Sequence, residues 1–280
     1  MSAITYSRRK WTNRVMLGLC SAAAFAAIGV LALILGYVVV KGISYINFDF
    51  FTQLPKPAGE AGGGVSNAIV GSLIILGMAA VIGIPAGIGA GVFVAEMAGP
   101  RMASVIRFTA DVLTGVPSIV VGIVVYSWLV LKMGHFSAIA AAVALAIIML
   151  PIVARSSEEM LKLVPQSQRE AALALGVTRW RTILSIVIPA ARRGLITGGL
   201  LAIARAAGET APLLFTALGN QFMTFSLFGK PIDALPLRIY QYGTGPYNSQ
   251  HEQAWAAAFV LVTVVFCISL TSRLLLSGRG

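Results

Sequence analysis

Two ionisable residues stand in an otherwise apolar stretch: Arg205 and Glu209, in "AIARAAGETAPLLFTALGN". An ionised side chain in a membrane-crossing helix costs at least about 2.5–3.5 kcal/mol on the insertion scale, so its presence asks for a reason. Four residues apart, the two share one face of a continuous helix. Counted from Gly194 at about 1.5 Å per residue, Arg205 lies roughly 16 Å along, near a bilayer midplane. An arginine grips a tetrahedral oxyanion with two parallel hydrogen bonds, whereas a carboxylate repels one. Two readings are open. The pair forms a gate, Glu209 holding Arg205 until an anion takes its place, or it is a static ion pair that only fixes helix packing. Arg107 and Asp111 have the same spacing. They read as an i,i+4 pair near the inner membrane face, or as marking an inner vestibule with Asp111 as a pore-facing acid.

Other chemistry lacks its motif. There is no G-x-x-x-x-G-K-[ST] phosphate loop: Gly229-Lys230 is followed by Pro231. ATP hydrolysis would therefore fall to a partner. H-E-x-x-H and G-x-S-x-G are also missing, and Asp111 with Glu209 makes a poor catalytic pair. An enzyme is not expected. His135 and His251, in outer turns, have no neighbour at ligand spacing, so neither is assigned to a metal. Cys20 and Cys267 lie inside apolar runs, where a disulfide framework is not expected.

The elements that must position these residues follow from composition. Of 280 residues, 58% are hydrophobic and 11% charged, against about 25% charged in soluble domains. An all-α polytopic membrane protein is expected, with six spans near 16–40, 67–95, 104–131, 136–155, 193–217 and 254–276. Arg8, Arg9 and Lys10 precede a first apolar run too long for a signal-peptide core, so that run is expected to stay as a span. On this topology 15 of the 21 Lys and Arg residues fall on one side and five on the other, with Arg205 between. That asymmetry places both termini in the cytoplasm and accounts for the net charge of +11 without a nucleic-acid partner. Residues 1–15 are then a cytoplasmic segment, 16–66 the first span and outer loop, 67–276 a five-helix core, and 277–280 a tail. Gly83, Gly87 and Gly91 share one helix face and predict close packing; a direct substrate role is the other reading. Pro117 and Pro212 predict kinks. The outer stretch "EAGGGVSN" reads as flexible, and "LPLRIYQY" as a segment along the membrane surface.

Within the cytoplasmic loop 156–192, Pro165 ends what precedes it, and Ser167 with Glu170 predicts a capping box. Gly176 stands where a helix C′ residue belongs, and Thr178 can cap a second helix running past Pro189 into the fifth span. Ala171, Ala172 and Leu175 would form a small apolar knob, suited to a groove in another protein or to an interfacial connector among lipid headgroups.

Glu170-Ala171-Ala172, Gly176 and Ile186-Val187-Ile188-Pro189 resemble the EAA loop of ABC importer permeases, departing only at Ile188, where Leu is usual. The resemblance implies that the loop is a coupling helix docking on a separate ATPase, with Glu170, Ala171, Ala172, Leu175 and Gly176 at the contact. The string from Arg205 to Ala217 resembles the A-type permeases of phosphate importers, as do "ADVLTGVPSIVVGI" and "LPLRIYQY" followed by "EQAWAAAFVL". Molybdate and sulfate permeases have a similar R-A-x-G-E core but usually continue with Phe-Gly; here Thr210-Ala211-Pro212 follows.

This resemblance implies the type I ABC importer architecture in a bacterial plasma membrane, with this chain forming half of a phosphate pathway. It further implies a second, related permease subunit, two ATPase subunits working with ATP and Mg²⁺, and an extracytoplasmic phosphate-binding protein. The chain itself would bind no cofactor. A transport role carries over to Arg205, and less directly to Glu209. A dianion facing one Arg is poorly compensated, so a further cation is expected from the partner permease. A molybdate or sulfate permease is the main rival. An ion-coupled secondary transporter would need no coupling hairpin, and no paired inverted repeat of broken helices is evident.

Overall fold

The computed structural model describes residues 3–57, 60 and 62–277. Elements run in order as α1 (Ala3–Ile43), α2 (Phe48–Thr52), α3 (Ser66–Val92), α4 (Pro100–Gly115), α5 (Ser118–Val125), α6 (Leu131–Met133), α7 (Ala138–Lys162), α8 (Gln166–Ala174), α9 (Arg179–Thr182), α10 (Ile188–Ala206), α11 (Ala211–Thr216), α12 (Leu235–Gly243) and α13 (Asn248–Ser277). Three π-helical turns, Phe93–Met97, Tyr126–Val130 and Ile183–Val187, extend or join these helices. The last carries the chain from α9 into α10. A π turn opens the ladder by one residue, which suits the approach of Pro189, whose ring would crowd the carbonyl one turn back in a regular helix.

Among the described residues five helices are long and apolar enough to cross a membrane: Arg8–Ile43, Ser66–Met97, Ala138–Lys162, Arg179–Ala206 and Asn248–Leu274. Pro100–Gly115 and Ser118–Met133 meet the same measure as a pair but are bent by 98°. The third expected span is therefore two half-helices, with Pro117 as the N-cap of the second. The fifth also differs. Its helix starts within the hairpin at Arg179 and ends at Ala206, and Pro212 lies in the first turn of the separate α11. Proline without an N–H fits a first turn, and Gly208 before it is a poor helix former, so the chain breaks here rather than kinking.

The centre of the bundle is α7, with α3 along one side and α10, α4, α5 and α11 around it. Its N-terminal half is mostly alanine, and Ala138, Ala141, Ala142, Leu145, Met149 and Val153 form the main core with Ile75, Ala79 and Ala202. The glycine stripe faces this helix. A Cβ on Gly87 would stand 2.6 Å from that of Val153, and one on Gly91 would stand 2.6 Å from that of Ser157. The packing reading of the stripe holds: α3 and α7 approach almost backbone to backbone.

The side expected to face outward is more ordered than the sequence suggests. Asn47 caps α2 by accepting from the Phe50 amide at 2.7 Å, and Phe50 is buried. Gly64 and Val65 then bond back to Leu54 and Phe50, so the end of "EAGGGVSN" is tied down; its Ala61 lies outside the described residues. "LPLRIYQY" is α12, with Leu235, Leu237, Arg238 and Tyr242 buried, and it packs on α13 and α3. Helix α1 meets α13 at its C-terminal end, where Tyr37 sets its ring edge against Trp255; Arg8 through Tyr37 are exposed. Cys20 and Cys267 are both free and exposed. Residues 278–280 of the expected tail lie outside the described residues.

Candidate functional site

Because α10 stops at Ala206, Arg205 lies in its last turn and Glu209 beyond its end. The backbone tightens there, with Gly208 N–H bonding to Arg205 O and Glu209 N–H to Ala206 O. The shared helix face expected for the two side chains is lost, and among the described residues no ion pair joins them. They meet differently, as walls of one cavity of about 250 Å³ whose lining includes Thr114, Pro117, Ser118 and Ile148. Thr114, Pro117 and Ser118 come from the bend between α4 and α5, and Ile148 from α7. Gly122, a turn into α5, lies so close to α11 that a Cβ there would come within 2.7 Å of Pro212 Cα. Two chain breaks thus meet at one hollow, with an exposed guanidinium and a half-buried carboxylate on its wall. At about 30 Å³ per water, the hollow has room for a small hydrated anion. Broken backbone is tolerated at membrane depth where it lines such a cavity or is buried in protein.

Arg107 and Asp111 do not pair with each other. Arg107 Nε donates to Glu158 at 2.7 Å, and Asp111 accepts a fork from Arg155 Nη2 at 2.8 and 2.9 Å. Lys162 also donates to Glu158, whose other oxygen lies 3.9 Å from Arg155. Two acids and three cations form a net that fastens α4 to α7. Glu158 is 3% exposed, and a buried carboxylate on α7 draws Arg107 more strongly than the exposed Asp111 on its own helix.

In the hairpin, α8 begins at Gln166 with Pro165 as its N-cap and no side-chain cap bond. The Ser167–Glu170 capping box does not form. Pro165, with φ −58°, already supplies the turn into the helix, and Ser167 falls inside it. Thr178 takes the N-cap position of α9 without a side-chain cap bond. The helix C-terminus is as expected. Gly176 has φ +78°; its N–H bonds to Leu173 O, and that of Val177 to Ala172 O, a Schellman closure. The knob divides. Ala172 is buried against the body, while Ala171 and Leu175 stay outside, Leu175 at 83% exposure. Glu170 is exposed beside them.

Two clusters have no local signal in the sequence. Arg169, next to the expected coupling residues, turns inward and grips Glu96 at 2.6 Å. At the other end of the bundle Asp233 and Arg238 pair in full burial, joined by Asn67 and the Asn220 carbonyl. Their members lie as far as 73 and 166 residues apart, so only the fold brings them together.

Residues 83–277 match the family model described as "Binding-protein-dependent transport system inner membrane component", and the chain belongs to that family. Within it, the relatives it resembles are permeases named "Phosphate transport system permease protein PstA". That of Haemophilus influenzae is 44% identical over 95% of this chain and 94% of its own, and that of Yersinia pestis 44% identical over 97% and 92%. Among solved structures, an inward-facing form of the MetNI methionine ABC transporter superposes with a TM-score of 0.64 at 19% identity, covering 77% of this chain and 96% of that one. A bacterial alginate ABC transporter with its bound periplasmic protein gives 0.63 at 16% identity, covering 96% and 95%. The fold is that of the type I ABC importer permeases, a permease in an inner membrane rather than an ATPase.

Proposed function

We propose that the chain is the permease subunit of an ATP-driven importer of inorganic phosphate and forms half of its passage. Near-full-length likeness to permeases named for phosphate transport carries the substrate assignment. The cavity supports a mechanism. Arg205 is the cation offered to the anion, and Glu209, held apart from it on the same wall, is a fixed negative charge that keeps the anion from settling. Strong binding would stop transport, so a cation beside a repelling carboxylate suits a passage. The second, related permease supplies the other wall and a further cation. Two ATPase subunits hydrolyse ATP with Mg²⁺, and an extracytoplasmic phosphate-binding protein delivers the substrate. The exposed Glu170, Ala171 and Leu175 are the handle on which an ATPase pulls. Helix Arg179–Ala206 carries that movement, because its near end is the second arm of the hairpin and its far end holds Arg205. Spanning 28 residues, at about 1.5 Å per residue it is a lever of roughly 42 Å.

The test is ATP-dependent phosphate uptake in vesicles holding the full complex. Arg205→Ala is expected to stop uptake while the ATPase stays assembled. Uptake at the wild-type rate would make Arg205 a packing residue. Glu170→Lys is expected to lose ATPase docking; normal docking would count against the handle.

A further inference from the structure

The hairpin has a second route to the body of the protein, and it runs through Glu96. This residue lies in the π turn that ends the α3 span. Its carboxylate takes Arg169 from α8: Nη2 at 2.6 Å, and Nε at 3.2 and 3.3 Å to the two oxygens. Its backbone carbonyl takes Arg179 from α9. Both arms of the hairpin therefore hold one residue of the π turn that continues α3. Arg169 also donates to Leu161 O at 2.9 Å and Val164 O at 2.5 Å, closing the end of α7. One guanidinium thus joins α8, the π turn that continues α3, and the end of α7. Its side chain is 14% exposed and that of Glu96 9%, so water weakens the fork little. Apolar anchorage of α8 is slight, since Ala172 is its only buried residue. The charged fork is the main tie of this arm.

We propose that Arg169 and Glu96 are the transmission clasp of the transporter: positioning residues through which a push on the hairpin reaches α3 and α7 as a unit. A planar fork fixes angle as well as distance, so it passes on rotation, whereas a sliding apolar contact does not. The helices it drives are the two locked by the glycine stripe, so α3 and α7 move together. The lever to Arg205 and this clasp then leave the hairpin as two outputs of one input. The inference rests on the ABC-permease reading above.

The test uses the full complex in proteoliposomes and reads three quantities: ATPase subunits retained, ATP hydrolysed, and phosphate carried per ATP. Arg169→Ala and the nearly isosteric Glu96→Gln are expected to keep the ATPase bound and hydrolysing. Phosphate carried per ATP should fall on the order of tenfold, the scale on which a lost coupling interaction shows. Arg169→Lys should retain part of the coupling, as should the charge-swapped pair Arg169→Glu with Glu96→Arg. Unchanged phosphate per ATP in Glu96→Gln overturns the clasp. So does loss of ATPase binding in that variant, which would assign the pair to the docking surface. A wild-type complex that takes up no phosphate with ATP overturns the permease reading itself, and the clasp with it.

Discussion

Asp233 and Arg238 are each 1% exposed, in a segment outside the membrane-crossing helices. Arg238 Nε reaches Asp233 at 2.7 Å and its Nη2 reaches Asn220 O at 3.1 Å, while the other Asp233 oxygen takes the Ala234 N–H at 3.0 Å. Burial raises the Asp233 carboxyl above its ordinary range, and the guanidinium beside it opposes the rise. Such a pair costs desolvation but fixes geometry, here the return of the outer loop onto the start of α3. Arg238→Met alone should lower stability by about 3–5 kcal/mol, because it leaves a buried carboxylate unpaired. The double change Arg238→Met with Asp233→Leu should cost less than either change alone, read as melting temperatures of the purified complex in detergent. Glu158 is a milder case, because its cations are partly exposed. Glu158→Ala should cost about 1–3 kcal/mol in the same assay and loosen α4 from α7. Of this chemistry the sequence announced the residue types and missed the partners. Arg205 stands out as a charge in an apolar run, and Gly176 as a helix stop. Arg107 had a plausible partner one turn away, and a buried acid 51 residues on took it instead.

At the level of elements, the seam between α3 and α7 admits a direct check. Gly87→Val would press new methyls on Val153, whose Cβ is already 2.6 Å from where the first added carbon would stand. Overpacking of this kind costs about 1–3 kcal/mol and should appear as a lower melting temperature. Gly89→Ala, with nothing within 4 Å of the added carbon, should leave it nearly unchanged. The small-residue stripe was visible as a period of four, and the membrane helices as apolar runs, because both signals are local. The 98° bend after α4 was not. Pro117 marks where the chain can turn, but the angle is set by α11 and α7 packed against α5, long-range contacts that no window of sequence contains. The end of α10 was missed for a related reason. Gly208 and Pro212 fit a kink as well as a stop, and the packing of Leu213 and Ala217 into the core decides for a stop.

For the whole molecule, the distribution of Lys and Arg predicts both ends of the chain in the cytoplasm. A cysteine at Arg8 (Arg8→Cys), in a background with Cys20 and Cys267 changed to Ser, should react with an impermeant maleimide in inverted vesicles and stay unlabelled in right-side-out ones. Labelling from the other side would turn the hairpin outward, away from any cytoplasmic ATPase, and the handle would fail with it. The glycine seam also bears on how such a protein can change over generations. Where Gly87 and Gly91 meet Val153 and Ser157, neither wall has slack, so a larger residue on α3 is tolerated only if a smaller one arrives on α7. Accepted changes at these positions should come in pairs. Across distant relatives, the two sides of the seam should covary in side-chain volume, large against small, while the exposed stretch of α1 from Arg8 to Tyr37 drifts one residue at a time.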